Sequence, residues 1–269
     1  MSAKLGFIGA GNMAKAIIGG LISHHYPTDL LYASDPAADK LAQLKKHYAI
    51  HTFVNNTTLV QQVDSVILAV KPQVLPQVVQ TLALSIQQRR PLVISIAAGV
   101  TVATLANRMG HDIAIIRCMP NMPALLQAGI SGLYANQYAT PKQCAQAERI
   151  LQAVGKTLWV KNEDDINKIT AVSGSGPAYF FYFMEALQAA AQTIGLESSV
   201  ARELSLQTAL GAARLANEST LGLAQLRQTI SSPGGTTVQA LQHMETHQVK
   251  QIMTQAVVAA LKRARELAR

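Results

Sequence analysis

The chain is poor in charge, aromatic rings and cysteine, and each shortage narrows what it can be. Only 14% of its 269 residues are Asp, Glu, Lys or Arg, against about 25% in an average soluble domain. Much of the surface must therefore be covered by something other than charge, and a homodimer or larger homo-oligomer is expected. The two cysteines, Cys118 and Cys144, show neither metal-ligand spacing nor a Cys-x-x-Cys pair, so no metal centre and no disulfide framework is indicated. No run free of ionisable residues reaches the ~18 residues of a membrane span. The opening Lys4-Leu5-Gly6-Phe7-Ile8-Gly9 lacks the basic and apolar regions of an export signal. The expectation is a cytoplasmic protein in reducing surroundings, with no membrane partner.

What charge there is leans positive, 23 Lys and Arg against 15 Asp and Glu, for a net +8. The one dense basic cluster is Lys262, Arg263, Arg265 and Arg269, where a helix's last turn attracts cations through its dipole. Without a basic stripe elsewhere, nucleic acid is not expected as a partner. Small anionic ligands fit the balance better.

The length suits two domains, and the pattern changes part-way along. Up to about residue 161, short apolar runs alternate with helical periodicity: Leu5–Ile8, Leu30–Ala33, Ser65–Val70, Leu92–Ile96, Ile113–Arg117, Ile130–Ala135 and Thr157–Val160. Such alternation predicts a largely parallel sheet with helices on both faces. Beyond residue 162 strands cease, and helices are predicted over 164–172, 177–194, 198–217, 221–229, 234–246 and 248–268. Several carry small residues at close spacing, such as Ala209, Gly211, Ala212 and Ala213, which allow close helix packing, including packing between subunits. The expected fold is α/β: a Rossmann-type, doubly wound, mostly parallel sheet over 1–161, followed by an all-α C-terminal domain over 162–269 for dimerisation and substrate.

Within the first part, Gly9-Ala10-Gly11-Asn12-Met13-Ala14 follows an apolar strand and opens a helix with Ala16, Ile17, Leu21 and Ile22 mostly on one face. In this context GxGxxA predicts a dinucleotide loop. Gly9 permits the tight turn, Gly11 lacks the β-carbon that would obstruct a pyrophosphate, and Ala14 lets helix and sheet approach. Amides at the helix start would hold the phosphates. The second strand ends in Ser34-Asp35. Asp35 stands near where an acidic side chain accepts from a ribose 2′-OH, which favours NAD. Ser34 and Lys40 could instead serve a 2′-phosphate, and Pro36 could turn Asp35 away, so the residues themselves leave the cofactor open. Ala69-Val70-Lys71-Pro72 delivers a lysine to the C-terminal edge of the sheet, as a cofactor contact or a solvated strand end. Asn56 is either a ribose contact or a helix cap.

In the second part, Ser173-Gly174-Ser175-Gly176-Pro177 and Ser231-Ser232-Pro233-Gly234-Gly235-Thr236-Thr237 each place glycines and hydroxyls at a helix start. Unpaired first-turn amides, aided by the helix dipole, can bind a carboxylate without an arginine. The plainer reading is that Thr236 or Thr237 is an N-cap.

Taken in order, GAGNMA, AVKP (69–72), AAGV (97–100), RCMPNMP (117–123), SGSGPAY (173–179) and SSPGGTT (231–237) resemble the pyrroline-5-carboxylate reductase family over nearly the whole chain. The last two motifs are the most specific. The resemblance implies a Rossmann domain followed by a helical domain interleaved with a partner subunit, reducing a cyclic imino acid to L-proline. It implies that Gly9, Ala10, Gly11, Asn12 and Met13 form the pyrophosphate loop, Ser34 meets the 2′-phosphate and Asn56 the ribose. Ala69, Val70, Lys71 and Pro72 would form the adenosine-side turn, and Thr237 would face the substrate. NADPH is the implied cofactor, with NADH tolerated on account of Asp35. Residues 217–221 (NESTL) fit the family pattern poorly, which leaves open whether Glu218 matches a family glutamate near the substrate.

On this reading the amides of Gly234, Gly235 and Thr236, with Ser232, hold the substrate carboxylate, and Thr237 Oγ, the catalytic contact, meets the ring nitrogen. Two other readings share the Rossmann half. β-Hydroxyacid dehydrogenases use a lysine on the long helix after their hinge motif, yet residues 178–194 contain none. A non-catalytic dinucleotide sensor would be free to lose SSPGGTT, which is intact.

Overall fold

The computed structural model describes residues 3–268; Arg269, the last member of the basic cluster, lies outside them. The first half alternates as its hydrophobic pattern predicts. It runs β1 (Leu5–Ile8), α1 (Asn12–Ser23), β2 (Leu31–Ser34), α2 (Ala38–Tyr48), β3 (His51–Phe53), α3 (Asn56–Gln62), β4 (Ser65–Leu68), α4 (Leu75–Arg89), β5 (Leu92–Ser95), α5 (Val102–Met109), β6 (Ile115–Met119), β7 (Gly129–Ala135), α6 (Pro141–Gln152) and β8 (Gly155–Trp159). Helices α7 (Asp164–Ile169), α8 (Gly176–Thr193), α9 (Ser198–Glu218), α10 (Leu223–Thr229), α11 (Thr236–Thr246) and α12 (Val249–Leu267) follow, with a π-helical turn at Thr170–Gly174 between α7 and α8.

The eight strands form one sheet in the order β3-β2-β1-β4-β5-β6-β7-β8. All neighbours are parallel except β6 and β7, which run antiparallel. β1, β2, β4 and β5 are buried along their whole length, because helices cover both faces of the sheet. That is why they read as continuous apolar runs without polar alternation. On one face Leu5, Phe7, Ile94 and Ile116 pack with Ile17 of α1, Leu41 of α2 and Ile150 of α6. On the other Ile8, Val66, Leu68 and Val93 pack with Leu59 of α3, Val79 of α4 and Leu105 of α5. Each such side chain contributes about 1.5–3 kcal/mol on burial.

β3 is the strand that the apolar pattern does not announce. It has three residues at the sheet edge, its His51 is exposed, and it is held by pairing with β2 and by the stacking of His51 and Phe53 on Tyr32.

The chain divides into two compact units, residues 1–175 with 260–269, and residues 176–259. Residues 164–175, expected with the helical part, fall in the first unit. Ile166 and Asn167 are buried there, and Gly132 of β7 is glycine where a β-carbon would press on Ile169 and Ile166. The end of α12 belongs to the same unit: Arg265 Nε donates to Asp164 at 2.9 Å, and Leu267 packs on Gly99. In the helical unit α8 pairs with α9, and Ala201 and Ser205 of α9 are buried. Most other residues of that unit are exposed.

Candidate functional site

The strand order reverses between β1 and β4, whose C-terminal ends border a crevice of the kind in which open α/β sheets bind ligands. Gly9 stands at its base with φ +103°, where any β-carbon would lie 2.6 Å from the Ala69 carbonyl oxygen, so the residue must be glycine both for its conformation and for its close approach. Its N–H donates to Ser34 O at 2.7 Å. Gly11 is the N-cap of α1, and a β-carbon there would meet nothing within 4 Å. No side chain caps this helix, and its first turn, which holds Asn12 and Met13, carries no acidic residue. The cradle is therefore open, with first-turn amides directed at it, and it fits a pyrophosphate. Ala69, Val70, Lys71 and Pro72 lead from β4 toward α4 beside Gly9, with the Lys71 side chain exposed.

Ser34 and Asn56 come together at the end of β2. Ser34 Oγ donates to Asn56 Oδ1 at 2.7 Å, and Ser34 is fully buried. The cap of α3 is Asn55, whose Oδ1 accepts from Thr57 and Thr58, so Asn56, the first residue of the helix, is not its cap. Asp35 is turned inward. Its Oδ2 accepts the Ala10 N–H and its Oδ1 the Ala37 N–H, each at 2.9 Å, and Lys40 Nζ lies 3.6 Å from Oδ2.

The RCMPNMP segment, to which sequence reasoning gives no role, joins β6 and β7 to the turn carrying SGSG. Asn121 donates to Ser173 O at 3.1 Å and accepts the Ile130 N–H at 2.9 Å, while Met119 packs where a β-carbon on Gly174 would stand. Arg117 is 2% exposed and donates to Glu163 Oε1 at 3.0 Å and to Asn167 Oδ1 at 2.9 Å. Glu163 Oε1 also accepts the Val102 N–H, so one carboxylate ties α5, β6 and the segment before α7. The sequence signal was an arginine at the end of an otherwise apolar strand, a position occupied only by a paired charge. Burial pushes the Cys118 thiol up to about 12, against a lowering hydrogen bond with Ser131, so this cysteine is structural and unreactive.

In the helical unit, Ser232, Pro233, Gly234 and Gly235 form a turn closed by the Gly235 N–H on Ser232 O at 2.9 Å. Gly234 takes φ +71°, a left-handed conformation that favours glycine. Helix α11 starts at Thr236 with Gly235 as its N-cap and no capping side chain. Thr236 and Thr237 are thus first-turn residues and not caps, and among the described residues neither hydroxyl is taken up in a hydrogen bond. The first turn holds no acidic residue. Uncapped amides, a helix dipole and two unengaged hydroxyls together suit a small carboxylate.

Comparison with known proteins agrees with both halves of this description. A family model described as pyrroline-5-carboxylate reductase dimerisation matches residues 163–267, and one described as NADP oxidoreductase, coenzyme F420-dependent, matches residues 4–99. A pyrroline-5-carboxylate reductase of Pseudomonas aeruginosa is 44% identical over 265 residues, covering 98% of this chain and 97% of that protein. The solved structure of a pyrroline-5-carboxylate reductase from Coxiella burnetii is 42% identical and superposes with a TM-score of 0.96 over 100% of both chains. A Plasmodium falciparum pyrroline carboxylate reductase, solved with NADP bound, is 28% identical with a TM-score of 0.87, covering 99% of this chain and 98% of that one. With 44% identity over 98% of its length to one such reductase and a dimerisation-family match over residues 163–267, the chain belongs to the pyrroline-5-carboxylate reductase family.

Proposed function

We propose that this chain reduces 1-pyrroline-5-carboxylate to L-proline, the last step of proline biosynthesis, using NADPH and, less well, NADH. The observation that carries the substrate half is the start of α11, an uncapped first turn with free Thr236 and Thr237 hydroxyls after the Gly234 turn. The N–H groups of Gly234 and Thr236, with Ser232, hold the carboxylate, and Thr237 Oγ meets the ring nitrogen; the Gly235 N–H, expected to share in this, is instead taken by Ser232 O and closes the turn. Open space at Gly11 and the uncapped start of α1 support the dinucleotide half.

When bound, the dinucleotide supplies a hydride to the imine carbon. The C=N π pair passes to nitrogen, which takes up one proton and becomes the secondary amine of the intact ring. Thr237 orients the nitrogen and relays that proton from water, because an alcohol is a poor acid. Orientation alone lowers a barrier by several kcal/mol, up to about 7–11 in ideal alignment, so no catalytic carboxylate is needed. The β-hydroxyacid dehydrogenase reading lacks its lysine on α8, and an intact substrate motif tells against a sensor.

The protein acts as a homo-oligomer. Phe180, Phe181 and Tyr182 of α8 are 65–72% exposed in the single chain, which supports coverage by a second copy. Among the described residues no helix is long and apolar enough to cross a membrane, and the two cysteines are unpaired, in keeping with a cytoplasmic enzyme. The test is steady-state oxidation of NADPH and NADH with and without 1-pyrroline-5-carboxylate. Imine-dependent oxidation with higher kcat/KM for NADPH is expected, and imine-independent or absent oxidation contradicts the proposal.

A further inference from the structure

We infer that Asp35 and Lys40 divide two tasks at the adenosine end of the crevice: Asp35 positions the glycine loop for either dinucleotide, and Lys40 is the cation that recognises a 2′-phosphate. The inference rests on the dinucleotide reading of that crevice. An acidic residue after the second strand ordinarily accepts from the ribose 2′-OH and disfavours a phosphate there. Here both carboxylate oxygens are committed to backbone amides, Oδ2 to Ala10 inside the glycine loop and Oδ1 to Ala37 ahead of α2. The side chain is 9% exposed. Charge-assisted bonds of this kind are directional and strong, and the pair joins the loop after β1 to the segment after β2.

Lys40 is placed differently. Its side chain is 46% exposed, and Nζ stands 3.6 Å from Asp35 Oδ2, close enough for attraction but too far for a hydrogen bond. It can therefore swing to an incoming phosphate without breaking one. Other candidates are occupied. Ser34 Oγ is buried and given to Asn56, and Lys15 Nζ donates to Gln43. Asp39, in the first turn of α2, repels an anion, which makes a neighbouring cation the more necessary. Because both Asp35 oxygens are held by backbone N–H groups, the carboxylate is turned into the fold and not presented to the ribose, and it does not bar NADPH.

The experiment is a fluorescence titration of folded protein with NADPH and with NADH. In Asp35→Asn the amide group cannot accept from both N–H donors, and both affinities should fall together by roughly tenfold, their ratio moving less than about threefold. Lys40→Gln should weaken NADPH by roughly tenfold and leave NADH as it is. An Asp35→Asn protein that loses NADH alone and gains NADPH would make Asp35 the ribose acceptor and overturn the inference. A Lys40→Gln protein whose two affinities are both unchanged, or fall equally, overturns it as well. Should Asp35→Asn not fold, Ala37→Pro removes one of the two N–H groups on the carboxylate; parallel weakening supports the assignment, and loss of one dinucleotide alone contradicts it. Gly11→Val separates the underlying reading: it should abolish binding of both dinucleotides, and unchanged binding would remove the site itself.

Discussion

The sheet unit and the helical unit bury their apolar residues to very different degrees. In the first, Leu5, Phe7, Ile17, Leu59, Ile67 and Leu105 are completely buried within one chain. In the second, α8 presents Phe180, Phe181 and Tyr182 to solvent, and α9 exposes Leu204, Leu210 and Leu215. The sheet is closed by helices on both faces and completes its core alone. The helices of the second unit do not do so within one chain, and the match to a dimerisation family agrees with completion by another copy. Low overall charge and exposed large side chains are then one fact: surface destined for a partner need not be charged. The glycine loop after β1 and the SSPGGTT turn thus belong to units whose stability has different sources.

The comparison breaks most severely at α8. Phe181→Asp would bury a charge in each copy of the interface, at several kcal/mol. Sedimentation should show monomer at micromolar concentration, activity should be lost, and the concentration dependence of Tm expected of an oligomer should disappear. A stable, active oligomer carrying this substitution would show that α8 is not covered by a partner.

A smaller effect is expected from the network inside the sheet unit. Glu163→Ala strips buried Arg117 of its carboxylate and the Val102 N–H of its acceptor, a loss of about 3 kcal/mol. Urea denaturation should show the reduced stability while sedimentation shows unaltered assembly, because the loss lies within one unit.

The smallest effect is at the end of α12. Arg265 donates to Asp164 and, with Asn167, holds its carboxyl at about 2, well below the ordinary carboxylate range. A depressed folded value means that the contribution is complete above the ordinary pKa and is lost as pH falls toward 2. Both groups are exposed, so the magnitude is small. Thermal melts from pH 5 to pH 2 should show a slightly shallower acid loss for Arg265→Gln than for the parent, and identical slopes would mean that the pair contributes nothing.

Much of this was legible in the sequence because parallel strands covered on both faces announce themselves as apolar runs. Seven of the strands and the C-terminal helices fall within a few residues of their expected places. β3 was not legible, since three residues at an edge are held by pairing and ring stacking and not by burial. The helical part was expected to begin near residue 162, but α7 packs against the sheet through Ile166, Asn167 and Ile169, contacts that periodicity cannot assign to one neighbour or another. Among the site residues, the glycine loop follows from the order of elements. The inward turn of Asp35 does not, because it depends on where Pro36 and Ala37 place the chain. Thr236 and Thr237 could be read as caps or first-turn residues until the helix was seen to start one residue after Gly235.

Thr237 concentrates the account in one hydroxyl, so the most direct measurement is kcat for imine reduction together with Tm in Thr237→Ala. The hydroxyl caps nothing, so its loss should leave Tm within about a degree or two, while a lost hydrogen bond of about 1.5–3 kcal/mol to the ring nitrogen lowers kcat by roughly one to two decades. Normal turnover in a protein of lowered Tm would contradict that role and leave Thr237 a structural residue of the helix start.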